Sequence, residues 1–259
     1  MDRTEPAPDA AVVARLRAAG CVFAEDEAAL LVQAAGTAAE LDALITRRVA
    51  GEPLEQVLGW AEFCGRRFVV EPGVFVPRRR TGLLVREAAA LAVPGAVVLD
   101  LCCGVGAVGA AVAGLVGAVE LHAADVDPAA VRCARRNVEG AVYEGELYDA
   151  LPGSLRGRVG VLVANAPYVP TGAIALMPPE ARDHEARAAL DGGADGLDVQ
   201  RRVIAGAPQW LAPGGALLVE TSDRQAASTL AAFTVAGLAA RVVEDDDLGG
   251  TVVLGTTGL

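Results

Sequence analysis

Four consecutive residues, Asn165-Ala166-Pro167-Tyr168, follow the apolar run 159–164 and carry groups suited to holding a planar nitrogen. The side-chain oxygen of Asn165 and the backbone carbonyl of residue 166 are two acceptors for the two N–H bonds of an amide or a similar group. Tyr168 offers an aromatic face to the same plane. An amide nitrogen is a poor nucleophile because its lone pair is delocalised into the carbonyl. Acceptors on its two hydrogens orient it and favour rehybridisation. The competing reading makes Asn165 a turn former; Pro167-Tyr168 beside it weighs against that. Asn165, Ala166, Pro167 and Tyr168 are therefore the candidate catalytic residues.

A second group of residues is suited to a nucleotide. The run 96–101 ends in Asp100-Leu101-Cys102-Cys103-Gly104-Val105-Gly106-Ala107. Gly104 and Gly106 let backbone approach a ligand closely, and ligands of open α/β sheets bind beyond the carboxyl ends of strands. A second apolar run ends at Asp125, close to the spacing at which an acid accepts both hydroxyl protons of a ribose. Capping of the next helix is the plainer role for Asp125, and orientation of loop amides the plainer role for Asp100. Gly104, Gly106 and Gly109 also fit the G-x-G-x-x-G pattern of dinucleotide sites. Asn165–Tyr168 separates the two readings, because it has a use in methyl transfer and none in hydride transfer.

Alternating elements must position these residues. Strands are expected at 96–101, 119–125, 141–143, 159–164, 216–220, 239–244 and 251–254, and helices at 81–91, 107–116, 128–138, 197–210 and 223–236. Continuous apolar strands alternating with helices imply a parallel sheet covered on both faces. Residues 9–50 show helical spacing, with a capping-box pattern at Thr37 and Glu40. Residues 1–8 are expected to fray. Between them and the sheet, prolines and glycines break up residues 51–80, and Phe68-Val69-Val70 with Val74-Phe75-Val76 around Glu71-Pro72-Gly73 suggests a hairpin. The expected division is a helical domain over 1–50, a linker over 51–80 and a catalytic domain over 81–259.

Composition narrows the partners. The 259 residues are 53% hydrophobic and carry a formal charge of -11, so a sizeable core can form and a primarily nucleic-acid-binding surface is disfavoured. The five cysteines contain no Cys-x-x-Cys pair and there are two histidines. No disulfide framework or metal site is expected, and the thiols read as small buried groups in a reduced compartment. With no signal-like or spanning segment apparent, a cytoplasmic protein without membrane contact is expected. Arg78-Arg79-Arg80 divides evenly between a solvated turn and a functional patch.

In joint order, these motifs resemble the protein-(glutamine-N5) methyltransferases that modify translation release factors, the HemK/PrmC family. The resemblance starts near residue 47. It rests on Gly51-Glu52-Pro53-Leu54 with Leu58-Gly59 and Glu62-Phe63, on Val76-Pro77-Arg78, on Asp100 to Gly106, on Asn165 to Tyr168, and on His184-Glu185 through Asp191-Gly192-Gly193-Ala194-Asp195-Gly196-Leu197. It implies a Rossmann-like class I α/β fold with a seven-stranded mixed sheet whose last strand is antiparallel, preceded by the helical domain and the hairpin linker. It implies S-adenosylmethionine as methyl donor and the side-chain amide of a protein glutamine, in a peptide-chain release factor, as acceptor. Asp100, Cys102, Gly104, Gly106, Asp125, Val126, Glu146, Leu147 and Asn165 are then expected to contact the cofactor. Three departures mark a divergent paralogue: Ala166 stands where the family has Pro, Cys102-Cys103 where it usually has Gly-Thr, and Arg79-Arg80-Thr81-Gly82 where it has Pro-Glu-Thr-Glu. Methylation of a small metabolite or another protein amide, and a non-catalytic cofactor-binding protein, are the rival readings.

Overall fold

The computed structural model describes residues 9–258; the fraying expected of residues 1–8 lies outside these. Three helices come first: α1 (Ala10–Ala18), α2 (Ala24–Ala34) and α3 (Ala38–Val49). They close over Val12, Leu16, Leu31 and Ile45. The capping box of α3 forms as the Thr37/Glu40 spacing predicts. Arg48 of α3 is almost fully buried and holds Glu27 of α2 through two hydrogen bonds, at 2.6 and 3.1 Å. Its Nη1 reaches Glu180, far along the chain, at 2.7 Å, so one guanidinium ties the N-terminal helices to the later helix Pro179–His184. A short helix, α4 (Leu54–Leu58), buries Val57 in the same cluster.

A hairpin follows, but not where it was expected. Strands β1 (Trp60–Phe63) and β2 (Arg66–Val69) pair antiparallel with Phe63 opposite Arg66. The turn is Cys64-Gly65, both at positive φ, +49° and +72°. Two successive positive φ values make the tight turn whose twist matches the strands. A cysteine is an uncommon first residue there, which is why Glu71-Pro72-Gly73 looked the better turn. That segment instead bends the chain back so that Gly73 pairs with Glu185. Cys64 is thus exposed, against the expectation of buried thiols; among the described residues all five cysteines are free.

The catalytic domain then alternates: α5 (Gly82–Leu91), β3 (Val97–Leu101), α6 (Ala107–Val116), β4 (Glu120–Asp125), α7 (Pro128–Asn137), β5 (Ala141–Glu144), β6 (Val159–Ala164), α8 (Pro179–His184), α9 (Asp198–Gly206), β7 (Leu211–Thr221), α10 (Asp223–Val235), β8 (Ala239–Asp245) and β9 (Gly250–Thr256). The seven strands run in the order β5-β4-β3-β6-β7-β9-β8. β9 is antiparallel to both neighbours and the first five strands are parallel, so the mixed Rossmann-like sheet is as expected. Helices cover both faces over two apolar layers, one around Val98, Val161 and Leu218 and one around Leu99, Leu162 and Leu217.

Register sets the site. Leu101 pairs with Ala124 on one side and Ala164 on the other, and Ala164 pairs with Val219. The next residue on each strand is therefore Asp125, Cys102, Asn165 or Glu220. These four stand in a row along the carboxyl edge, where strand order reverses and ligands bind.

Candidate functional site

A cavity of about 340 Å³ opens over that row, within the size range of small-molecule sites. Cys102, Gly104, Asp125, Val126, Glu146 and Leu147 line one end of it, and Asn165, Ala166, Pro167 and Tyr168 the other. Two expected cofactor residues, Asp100 and Gly106, do not reach the wall. Asp100 is buried beneath the loop and accepts from the Gly109 amide at 2.8 Å. Gly106, at φ +77°, is packed so closely on α7 that a Cβ would lie 2.5 Å from a Val138 methyl. The first braces the loop and the second lets it fold against the helix. Gly104 differs: a Cβ there would meet nothing within 4 Å.

Burial pushes the Asp100 carboxyl up to about 7, against the pull of the Gly109 amide. The folded-state value lies above the ordinary value of about 4, so the native protein holds a proton that the unfolded chain releases. Stability should therefore fall as pH rises from about 4 to 7. Asp100→Asn, which keeps an acceptor for Gly109, should flatten that slope in urea unfolding at several pH values; an unchanged slope would mean another group titrates.

Asp125 is held by its own loops. Its Oδ2 accepts from the Gly104 amide at 2.8 Å and its Oδ1 from the Asp127 amide at 2.9 Å. Burial raises its pKa, and these two amides oppose the rise. The cap of α7 is Asp127, which accepts from Ala129, so Asp125 is not spent on capping. Glu146 pairs with Arg202 of α9. Leu147 is held at φ +47° on the cavity wall, and such non-glycine outliers cluster at ligand sites.

Cys102 sits at φ +56°, where a Cβ costs roughly 1–2 kcal/mol. The thiol is pushed well above its usual range by burial and by Asp125 and Asp100, so it is no nucleophile. Cys102→Gly is expected to raise stability by up to about 1 kcal/mol while leaving cofactor affinity within twofold. A lower midpoint in denaturant would show that packing of the thiol outweighs the backbone strain.

At the other end, Asn165 donates from Nδ2 to the Thr81 hydroxyl at 3.4 Å, and among the described residues its Oδ1 takes no hydrogen bond. The Ala166 side chain is fully buried, and its carbonyl takes no backbone partner among the described residues. The Tyr168 hydroxyl donates to Glu220 Oε1 at 3.1 Å and accepts from Arg80 Nε at 3.0 Å. Arg80 Nε also lies 3.3 Å from Glu220 Oε1, and its guanidinium stands 5.9 Å from the Tyr168 ring centre. Burial raises the Glu220 pKa, opposed by the Thr81 hydroxyl, Arg80 and Tyr168; among the described residues its Oε2 has no hydrogen-bond partner. The Tyr168 ring is thus fixed at its hydroxyl.

The late glycine segment clamps the same loop. Val169 donates to Leu190 and accepts from Gly192, and Gln225 donates to the Tyr168 carbonyl at 2.9 Å. A Cβ at Gly192 would sit 2.7 Å from the Pro167 carbonyl oxygen, and one at Gly196 would sit 2.3 Å from that of Tyr168. Close backbone approach therefore requires glycine at both. Sequence reasoning gave Glu220 no role, although an acid closing an apolar strand was a usable signal. It left Arg80 undecided, and the structure puts Arg78 and Arg80 on the cavity wall. Among the described residues no cluster of metal-ligating side chains occurs, and no helix is long and apolar enough to cross a membrane.

Residues 65–241 match the family described as Methyltransferase small domain. The chain is 41% identical over 199 residues to a release factor glutamine methyltransferase of Geobacter sulfurreducens, covering 75% of this chain and 69% of that protein. It is 37% identical over 203 residues to a 4-amino-L-phenylalanine/4-methylamino-L-phenylalanine methyltransferase of Streptomyces pristinaespiralis, covering 74% and 69%. A methyltransferase structure from Pyrococcus furiosus superposes with a TM-score of 0.58 at 16% identity, over 83% of this chain and 98% of that one; this last likeness concerns the fold.

Proposed function

Since the chain belongs to the methyltransferase small domain family, alongside the release factor glutamine methyltransferases, we propose that it methylates the side-chain amide of a protein glutamine in a peptide-chain release factor, with S-adenosylmethionine as donor. The observation that supports this reading is the row Asp125, Cys102, Asn165, Glu220, whose Asp125 and Asn165, an acid suited to a ribose diol and a side chain suited to an amide, line one cavity.

The residues fit the donor. Asp125, pre-oriented by two amides, keeps lone pairs for a ribose diol. Gly104 leaves room at the loop, and Val126 and Leu147 supply apolar wall. S-adenosylmethionine brings a methyl group already activated on a sulfonium. The protein's own contribution is then alignment, which supplies much of the rate in such transfers. Asn165 Oδ1 and the Ala166 carbonyl take the two N–H bonds of the acceptor amide. With both in-plane N–H bonds held, the face of the nitrogen that carries the lone pair is open to the methyl, and one N–H proton is released to solvent once the new N–C bond has formed. Tyr168, anchored by Arg80 and Glu220, limits the amide to one plane. Ala166 keeps the carbonyl that a proline would offer and gives up only its rigidity.

The test is incubation with methyl-labelled donor and a purified release factor, followed by mass spectrometry of its Gly-Gly-Gln peptide. One methyl on that glutamine is expected. An unlabelled release factor beside labelled 4-amino-L-phenylalanine would transfer the activity to a free amine, the substrate named for the Streptomyces relative.

A further inference from the structure

We propose that Arg80 makes the acceptor end of the cavity a carboxylate receptor, so that what is methylated carries a carboxylate that meets Arg80 while its nitrogen sits on Asn165. This rests on the reading that Asn165 holds the acceptor.

Two ion pairs form that end, and both are layered the same way. Arg78 pairs with Glu185 and Arg80 with Glu220. The arginine side chains are 29% and 44% exposed, the glutamates 0% and 1%. An incoming group therefore meets guanidinium, with the carboxylates behind it. Arg80 commits only Nε, to Tyr168 and Glu220. Among the described residues neither Nη has a hydrogen-bond partner, which leaves the paired N–H edge that suits a carboxylate in bidentate fashion. Among the described residues two of the four acids on the cavity wall, Asp125 and Asp127, accept only backbone amides, and the other two are already matched. Glu146 is matched to Arg202, and Asp191 to Arg187, Thr171 and the Gly193 amide. The unspent Arg80 donors belong to the neighbour of Thr81, whose hydroxyl accepts from Asn165.

A neutral glutamine amide gives these donors no useful role. Arginine has no acceptor atom, so it cannot take the amide N–H bonds. On the amide carbonyl it would draw the nitrogen lone pair further into the C=O and slow attack. Neutralising Glu220 does not explain them either, since Nε alone does that.

The carboxylate has two sources, an acidic side chain next to the glutamine or the α-carboxylate of a free amino acid. Calorimetry on the protein saturated with S-adenosylhomocysteine distinguishes them. The probes are acetyl-Gly-Gly-Gln-Asp-amide against its Asn counterpart, and L-glutamine and 4-amino-L-phenylalanine against their carboxamides. One carboxylate member is expected to bind at least about tenfold more tightly than its neutral partner, and the pair that does so names the source. Arg80→Gln should erase the preference with S-adenosylhomocysteine affinity unchanged. Should loss of charge beside Glu220 unfold that variant, Arg80→Lys keeps the charge, removes the paired edge and should lose most of the preference. Equal binding or none in every pair, or a preference that survives both variants, overturns the proposal. A release factor that is methylated without any carboxylate preference sinks this inference and leaves the proposed function standing. A carboxylate preference without release-factor methylation does the reverse.

Discussion

Asn165→Ala should lower kcat about 10²- to 10³-fold while S-adenosylmethionine affinity changes by less than about threefold. The size follows from removing one preorganised polar group from a water-poor site, a loss of roughly 3–4 kcal/mol in the transition state. The separation of the two readouts follows from geometry. Asn165 is fixed by Thr81, and Thr81 begins the α5 segment rather than the Gly104 loop. Asp125 is fixed by Gly104 and Asp127. Among the described residues the two ends of the cavity share the sheet edge but no hydrogen bond, so an alanine at 165 disturbs acceptor orientation and takes from the donor seat only the contact of Asn165 itself. Asn165→Asp gives a sharper version. It keeps an acceptor oxygen but loses the Nδ2–H to Thr81, and it brings a second carboxylate near Glu220. Activity should stay low and recover partly as pH falls. Single-turnover kinetics with saturating donor measure the step directly; full turnover in Asn165→Ala would end the assignment.

How much of this could be read beforehand depends on whether the signal was local. The strands 97–101 and 159–164 are continuous apolar runs that close on Asp100-Leu101 and Ala164, so their ends, and the loops that carry Cys102 and Asn165, were legible. So was the α3 cap, because Thr37 and Glu40 act within one turn. The hairpin was misplaced because its turn depends on the backbone of Cys64, whose side chain does not announce a positive φ. The supporting place of Gly106 could not be foreseen either, whereas for Asp100 the orientation of loop amides was already the alternative to ligand contact. Both places depend on Gly109 and Val138, which belong to packing of the loop against α6 and α7. Glu220 is the clearest limit. Its partners Arg80, Thr81 and Tyr168 are distant in sequence and converge only because Ala164 and Val219 are paired. A row across parallel strands is set by register, and register is a property of the whole sheet.

That row also sets the second large effect. Asp125→Ala should weaken S-adenosylmethionine binding about 100-fold, with Asp125→Asn in between at about tenfold. Hydrogen bonds to an ionised group contribute roughly 1.5–3 kcal/mol each, and two ribose hydroxyls on one carboxylate are not additive, so about 2.7 kcal/mol, or 100-fold, is the reasonable sum. Part of the loss in the alanine variant has another origin. The Gly104 amide loses its acceptor, and the loop must then be ordered by the ligand itself, which asparagine avoids by keeping an oxygen. The two contributions differ in pH dependence. Burial raises the Asp125 pKa above its ordinary value, and a diol needs the ionised form. Wild-type affinity should therefore fall as pH is lowered through that raised value, whereas loop order in Asp125→Asn has no such group to titrate. Calorimetry of wild type and both variants between pH 4 and 8 reads this out. A wild-type pH dependence that persists in Asp125→Asn would move the titrating group elsewhere, and Asp100, one residue before the loop and already pushed to about 7, would then control the donor site from beneath.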